Sequence, residues 1–272
     1  MEQYNNLSDS DMQSLCKDCK NLCWYHAGAS YKPRGVEVCG TSSYQLDDGI
    51  PTCHKNCTTY SRIKLLFDSC GLPMVYWNYI KMIRENSDSS VWNILNHIME
   101  NVLSFVDQGQ NILLTSQISG NGKTTIAACI IKALIRAAVI DGKFNINNVK
   151  YVYIPEFISS YEYFEHLDKT EDSRKEFFSS AQLLKNSRFV VWDGFGYDSK
   201  TRAEEVLVRS ILHTRINYGK SNMIISSMGL DSLRQVLRPS DFERLSNSSI
   251  LLELKSKSYR QLVSDGFVNF EL

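Results

Sequence analysis

The chain has 272 residues, 43% hydrophobic and 22% charged, which suits a soluble globular protein of about two domains. Thirty Lys and Arg balance thirty Asp and Glu, so the formal net charge is zero. That excludes a uniformly basic coat for nucleic acid and an acidic tail, while leaving room for a local basic groove.

Residues 1–14 are polar and acidic, with neither the basic start nor the apolar stretch of a secretion signal. Seven of the eight cysteines then fall within the first 70 residues. In a chain without a secretion signal, thiols stay reduced, so clustered cysteines point to metal rather than to disulfides. Cys16-x2-Cys19 has the spacing of a metal knuckle, and Cys53-His54-x2-Cys57 supplies a second close set. Cys23 and Cys39 could replace a member of either set, complete a second zinc, or help hold an iron–sulfur cluster. Structural zinc held by four of these six is the expectation, with iron–sulfur and plain buried thiols as alternatives. The segment is polar and short of aliphatic side chains, so a metal would supply folding free energy that its core cannot. Cys70 and Cys129 read as packing residues.

Two domains are expected, a cysteine-rich module over 1–70 and a larger one over 71–272. A short helix is expected from Arg62 to Asp68, and Gly71-Leu72-Pro73 marks a break. Trp92 to Val106 reads as a helix, with Ile94, Leu95, Ile98, Val102, Leu103 and Val106 on one stripe. Strands and helices then alternate. Ile112–Thr115 is a strand, Thr124–Ala138 a helix, and Tyr151–Ile154 a strand. Glu156–Leu184 is mostly helical, Arg188–Trp192 is a strand, and Ala203–Asn217 is an amphipathic helix. Met223–Ser226 is a strand, Leu230–Leu237 a short helix, and Ser249–Leu254 a last strand. This order predicts an α/β fold with a parallel sheet and helices on both faces. The longest apolar stretch, Ile126 to Ile140, is broken by Lys132 and Arg136 and falls short of the ~20 residues of a membrane span. A cytosolic protein with no membrane partner is expected.

The strand at 112–115 leads into Gln117-Ile118-Ser119-Gly120-Asn121-Gly122-Lys123-Thr124-Thr125 and then into a helix, the context of a phosphate-binding loop. Its glycines let successive backbone N–H groups face phosphate oxygens, and the helix N-terminus adds partial positive charge. Ser119, Gly120, Asn121, Gly122, Lys123, Thr124 and Thr125 are the phosphate-wrapping set. Lys123 would reach the β- and γ-phosphates of ATP, and Thr124 would ligate Mg²⁺. The usual first glycine is replaced by Gln117.

The partner element is an apolar strand ending in an acid. Phe189-Val190-Val191-Trp192-Asp193 fits, with Asp193 holding the metal's water shell. An active ATPase usually carries a second acid next, and here that position is Gly194. Either Asp198, Glu204 or Glu205 substitutes, or ATP acts mainly as a binding switch.

On these motifs, residues 71–272 resemble the AAA+ domain of replicative helicase loaders of the DnaC/DnaI type, and of their relatives, the transposition helper ATPases of the IstB type. The shared elements are Gly71-Leu72-Pro73, Asn111 to Leu114, the phosphate loop and Phe189 to Gly196. Further on come Arg215, Met223 to Ser227, Phe242-Glu243-Arg244-Leu245 and Lys255-Ser256-Lys257-Ser258-Tyr259-Arg260. The cysteine module is similar to the zinc module through which DnaI-type loaders contact the helicase. The resemblance implies that Arg244 reaches the γ-phosphate held by a neighbouring subunit, stabilising charge in transit. It implies a second nucleotide-sensing or interface role for Arg260. Ser226-Ser227-Met228 stands where the family usually ends in Asn, and Ser227 is the candidate to replace it. Few residues follow Arg260, so a full helical lid is not expected.

Tyr197, Phe195, Lys200 and Arg202 are candidates to line a single-strand DNA path, as basic residues interleaved with aromatics. The expected function is ATP-dependent loading of the replicative helicase onto single-stranded DNA by a protein that self-assembles into a ring or spiral. A phage or mobile-element origin is expected. The rivals are a transposition helper of the IstB type and a nucleotide-gated adaptor or inhibitor of the helicase with little hydrolysis.

Overall fold

The apolar runs from Asn111 onward form one five-stranded, wholly parallel sheet. The computed structural model describes residues 46–47, 50–51, 65–76, 89–140, 148–166, 171–196, 207–236 and 239–258. The six candidate metal cysteines lie outside them, as do Arg260, Tyr197, Asp198, Lys200, Arg202, Glu204 and Glu205. The chain divides into two units, Met1–Asp68 with Ile135–Phe144, and Ser69–Leu134 with Asn145–Leu272. Among the described residues of the first, β1 (Leu46–Asp47) pairs antiparallel with β2 (Ile50–Pro51).

The second unit holds the sheet. Its strands are β3 (Asn111–Thr115), β4 (Val149–Tyr153), β5 (Phe189–Phe195), β6 (Ser221–Ser226) and β7 (Ser249–Glu253). Their spatial order is β4-β5-β6-β3-β7. Every residue of β3 and of β6 is buried, as expected of central parallel strands covered on both faces. The register sets Leu113 beside Ile224 and Leu251, and Tyr153 beside Asp193.

The helices are α1 (Ser89–Glu100), α2 (Val102–Asp107), α3 (Lys123–Ile140), α4 (Ile154–His166), α5 (Glu171–Asn186), α6 (Arg209–Asn217), α7 (Leu230–Val236) and α8 (Pro239–Asn247). On one face of the sheet Leu113, Val152, Val190, Trp192 and Ile224 pack against α5, α6, α7 and α8 through Leu184, Leu212, Leu233 and Leu245. The alternate strand positions, among them Leu114, Val191 and Ile225, are buried on the other face.

Several boundaries differ from the sequence reading. The helix expected over 92–106 is broken at Asn101 into α1 and α2. The long helical stretch after Glu156 is two helices, α4 and α5. β5 runs three residues past Trp192, so Asp193 lies inside the strand rather than at its end. Helix α8 was not anticipated. It starts at Pro239, which reads as a breaker but is tolerated at a first helical position, where no N–H partner is needed.

One set of the sheet's polar groups collects at the N-terminal ends of its strands. Arg215, with no exposed surface, donates from Nε to Asn222 Oδ1 (2.6 Å) and from Nη2 to Ser221 O (2.6 Å). Its Nη1 donates to Leu184 O (2.5 Å) and Ser187 O (2.7 Å), at the C-terminal end of α5. Asn222 also accepts from Trp192 Nε1 (3.2 Å) and donates through Nδ2 to Asn111 Oδ1 (2.9 Å). Asn111 Nδ2 donates to Ser248 Oγ (2.8 Å), which carries the network to the start of β7. Burial pulls the Arg215 pKa down. The four acceptors, two of them at the negative end of a helix dipole, hold the cation against that pull. Replacing Arg215 by Met would remove the Arg215 donor from three carbonyls and one of the two donors to Asn222 Oδ1, and should lower stability by about 3–5 kcal/mol, read from urea unfolding. Arg215→Lys should recover little of it, because an ammonium cannot reproduce the fork.

Candidate functional site

The phosphate loop leaves the sheet at the C-terminal end of β3, where the strand order reverses between β6 and β7. Ligands of open parallel sheets bind at such crevices. Its root is pinned on both sides. Ser116 N donates to Ser226 O (3.1 Å) and Leu254 N donates to Thr115 O (2.9 Å). Ser116 Oγ donates to Leu254 O (2.7 Å) and accepts from Ile118 N (3.2 Å) and Asn121 Nδ2 (2.5 Å). Gly120 and Gly122 have φ of 76° and 91°, values that L side chains resist, which is why the loop places glycine at both.

Lys123, the first residue of α3, folds back on the loop. Its Nζ donates to Ile118 O (2.9 Å), Ser116 O (3.2 Å) and Asn121 Oδ1 (3.3 Å). Burial lowers its pKa, and the Asp193 carboxylate works in the opposite direction. A phosphate entering the loop would compete with these three neutral acceptors for the ammonium. Ser119 is exposed, and Thr125 follows Thr124 in the first turn of α3.

The structure brings the two halves of the motif together. Thr124 Oγ1 donates to Asp193 Oδ2 (2.7 Å). A hydroxyl and a carboxylate in contact beside a phosphate loop are the hard oxygen donors that suit Mg²⁺. The donor set therefore fits that cation, with Thr124 and Asp193 to hold it and its waters. Among the described residues no group of three His, Cys, Asp or Glu forms a separate metal site.

Sequence reasoning missed a third member, Tyr151. Its hydroxyl donates to the same Asp193 Oδ2 (2.7 Å). Burial first, then the Asp193 charge, pushes the phenol far up, so it stays protonated. No local motif marks it. Only the β4–β5 register places it on the Asp193 face.

Gly194 has a conformational reason. Its φ is 84°, and the β5–β6 register shifts between Asp193 and Phe195. A Cβ there would stand 3.1 Å from Pro155 Cδ and 3.3 Å from Tyr153 Cε2. A side chain at this position would thus be both conformationally strained and tightly packed. On the neighbouring strand, Ser226 Oγ donates to Phe195 O (2.7 Å) and accepts from Met228 N (3.0 Å), which ties β6 to the end of β5. The candidate Ser227 is exposed just past the strand.

Arg244 lies apart from this cluster. It is exposed near the C-terminus of α8 and donates to Asn217 Oδ1 at the end of α6. Both helix ends feed the N-terminal ends of strands, opposite the phosphate loop of the same chain. Phe195 is buried inside β5, which removes it from the expected DNA-lining set. Among the described residues no helix is long and apolar enough to cross a membrane.

The parallel sheet, phosphate loop and paired Thr124–Asp193 define a P-loop nucleotide-binding protein of the AAA+ fold. Residues 94–264 match the family described as IstB-like ATP binding protein, and the chain belongs to that family. The solved structure of the DnaC helicase loader superposes with a TM-score of 0.52 at 18% identity, covering 67% of this chain and 100% of that one. DnaI gives 0.45 at 15% identity, covering 70% and 94%. The replication initiator DnaA bound to AMPPCP and single-stranded DNA gives 0.48 at 14%, covering 72% and 56%. The chain matches no curated protein by sequence comparison.

Gly194→Ala forces a side chain into a left-handed position against Pro155. It should lower stability by about 1–3 kcal/mol, visible as a lower thermal unfolding midpoint.

Proposed function

We propose that this protein is an ATP-dependent loader of a replicative DNA helicase onto single-stranded DNA at the start of replication. The observation that carries the reading is the division of the site. Lys123, Thr124 and Asp193 gather at one end of the sheet, while Arg244 stands exposed at the other. A chain built this way holds the triphosphate itself and offers its arginine to a neighbour's, so the complete site forms only on assembly into a ring or spiral. Arg260 serves the same interface, and Ser227 faces the nucleotide end. The cysteine module over 1–70 binds zinc through four of Cys16, Cys19, Cys23, Cys39, Cys53 and Cys57, and docks on the helicase. Tyr197, Lys200 and Arg202 follow β5 and contribute to the DNA path. The domain over 71–272 supplies the ATP-gated assembly.

Two further readings each have support. The strained, tightly packed position of Gly194, where a second acid would stand, favours a nucleotide-gated adaptor or inhibitor with little hydrolysis. The family match favours a transposition helper.

The test is a pull-down of the tagged full-length protein from its host, with and without ATP, read by mass spectrometry. Recovery of the replicative helicase only with ATP is expected. It should be lost in Lys123→Ala and in the double change Cys16→Ser with Cys19→Ser. Recovery of a transposase instead would overturn the loader reading. Turnover of about 1 s⁻¹ or more by the purified protein would rule out the adaptor reading.

A further inference from the structure

Tyr151 lies on β4, the edge strand, three strands away from the one that carries the phosphate loop. Even so, its hydroxyl reaches the acid of the nucleotide site. We propose that Tyr151 is a positioning residue for the divalent cation that accompanies the nucleotide. It anchors Asp193 through Oδ2, which would leave Oδ1 available to the cation and its waters. The inference rests on the reading of Thr124 and Asp193 as the cation site.

An ionised carboxylate has two oxygens and about four acceptor positions. Oδ2 takes two donors at the same distance, Thr124 Oγ1 at 2.7 Å and Tyr151 OH at 2.7 Å. Among the described residues no hydrogen bond is made to Oδ1. The torsion that turns an aspartate carboxylate is broad, so a single donor from Thr124 would leave it free to swing. A second donor on the same oxygen, from another strand, removes that freedom. This matters more here than with a second acid present, because Gly194 leaves Asp193 as the sole carboxylate at this point of β5.

One observation argues against a phenol that merely satisfies itself. The β4–β5 register pairs Tyr151 with Val191 and Tyr153 with Asp193 without a bulge, which fixes the phenol one step behind the acid on the same face. Groups that orient a ligand of a metal from the second layer typically change metal affinity by about 10–100-fold when removed.

The experiment compares binding of a fluorescent ATP analogue in magnesium and in EDTA, using full-length protein and Tyr151→Phe. The quantity read is the ratio of the two dissociation constants. The unaltered protein should bind more tightly with magnesium, and Y151F should lose about tenfold of that gain. A purely structural role would weaken both affinities together and preserve the ratio, which would overturn the proposal. If the unaltered protein gains nothing from magnesium, the cation-site reading fails and the proposal fails with it. Should Y151F not fold, the hydroxyl proton of Tyr151 in the unaltered protein gives the answer by NMR. Its slow exchange should persist with the magnesium nucleotide bound, and its loss on loading would overturn the inference.

Discussion

A parallel sheet covered on both faces can place polar side chains only at the two ends of its strands. Here β3 and β6 are buried at every position, and their polar side chains, Asn111, Thr115, Ser221, Asn222 and Ser226, all lie toward those ends. At the N-terminal end the sorting is closed. Arg215 gathers carbonyls from α5, the loop after it and β6, and Asn222 and Asn111 extend the network across the sheet. Apart from Ser187, each partner is itself part of an element, so the bonds tie a helix end to strand starts. A buried cation without a carboxylate is tolerable because three of its four acceptors are backbone carbonyls already oriented by the fold, and the fourth is the Asn222 side-chain amide.

At the other end the sorting is left open. Lys123 bonds to three acceptors of its own loop, and Asp193 bonds to two hydroxyls. None of these bonds joins oppositely charged groups. A triphosphate and a divalent cation offer Lys123 and Asp193 opposite charges at the same positions. The fold thus keeps one end rigid through saturated hydrogen bonds and the other receptive through exchangeable ones. Arg244, exposed on α8 and bonded to Asn217, stands outside this closed network, and in the proposed reading it meets the nucleotide of a neighbouring molecule.

How much of this could be read from the chain follows from how local each feature is. The phosphate loop was legible because strand, glycines, Lys123 and helix are consecutive. Asp193 was legible because the apolar run before it is continuous. Tyr151 was not, since its role depends on which strand lies beside β5, and pairing is long-range. Arg215 was visible only as a shared family residue. Its work is to satisfy carbonyls that no sequence pattern marks. The break at Asn101 and the helix starting at Pro239 escaped because periodicity carries through a short interruption and Pro reads as an end.

The three departures from the usual motif, Gln117, Gly194 and Met228, look independent in sequence but share one end of the sheet. The Gln117 amide lies 3.3 Å from the place a Cβ on Gly229 would take. The Met228 side chain lies where a Cβ on Gly196 would stand, and Gly194 is closed in by Pro155 and Tyr153. Ser226 links the two strands that carry these residues. The turn after β5 and the turn after β6 are therefore packed as one piece. An acid at 194 would have to take the left-handed backbone of Gly194 with its Cβ close against Pro155 and Tyr153. The absence of the second acid thus goes with the backbone geometry of the turn that ends β5.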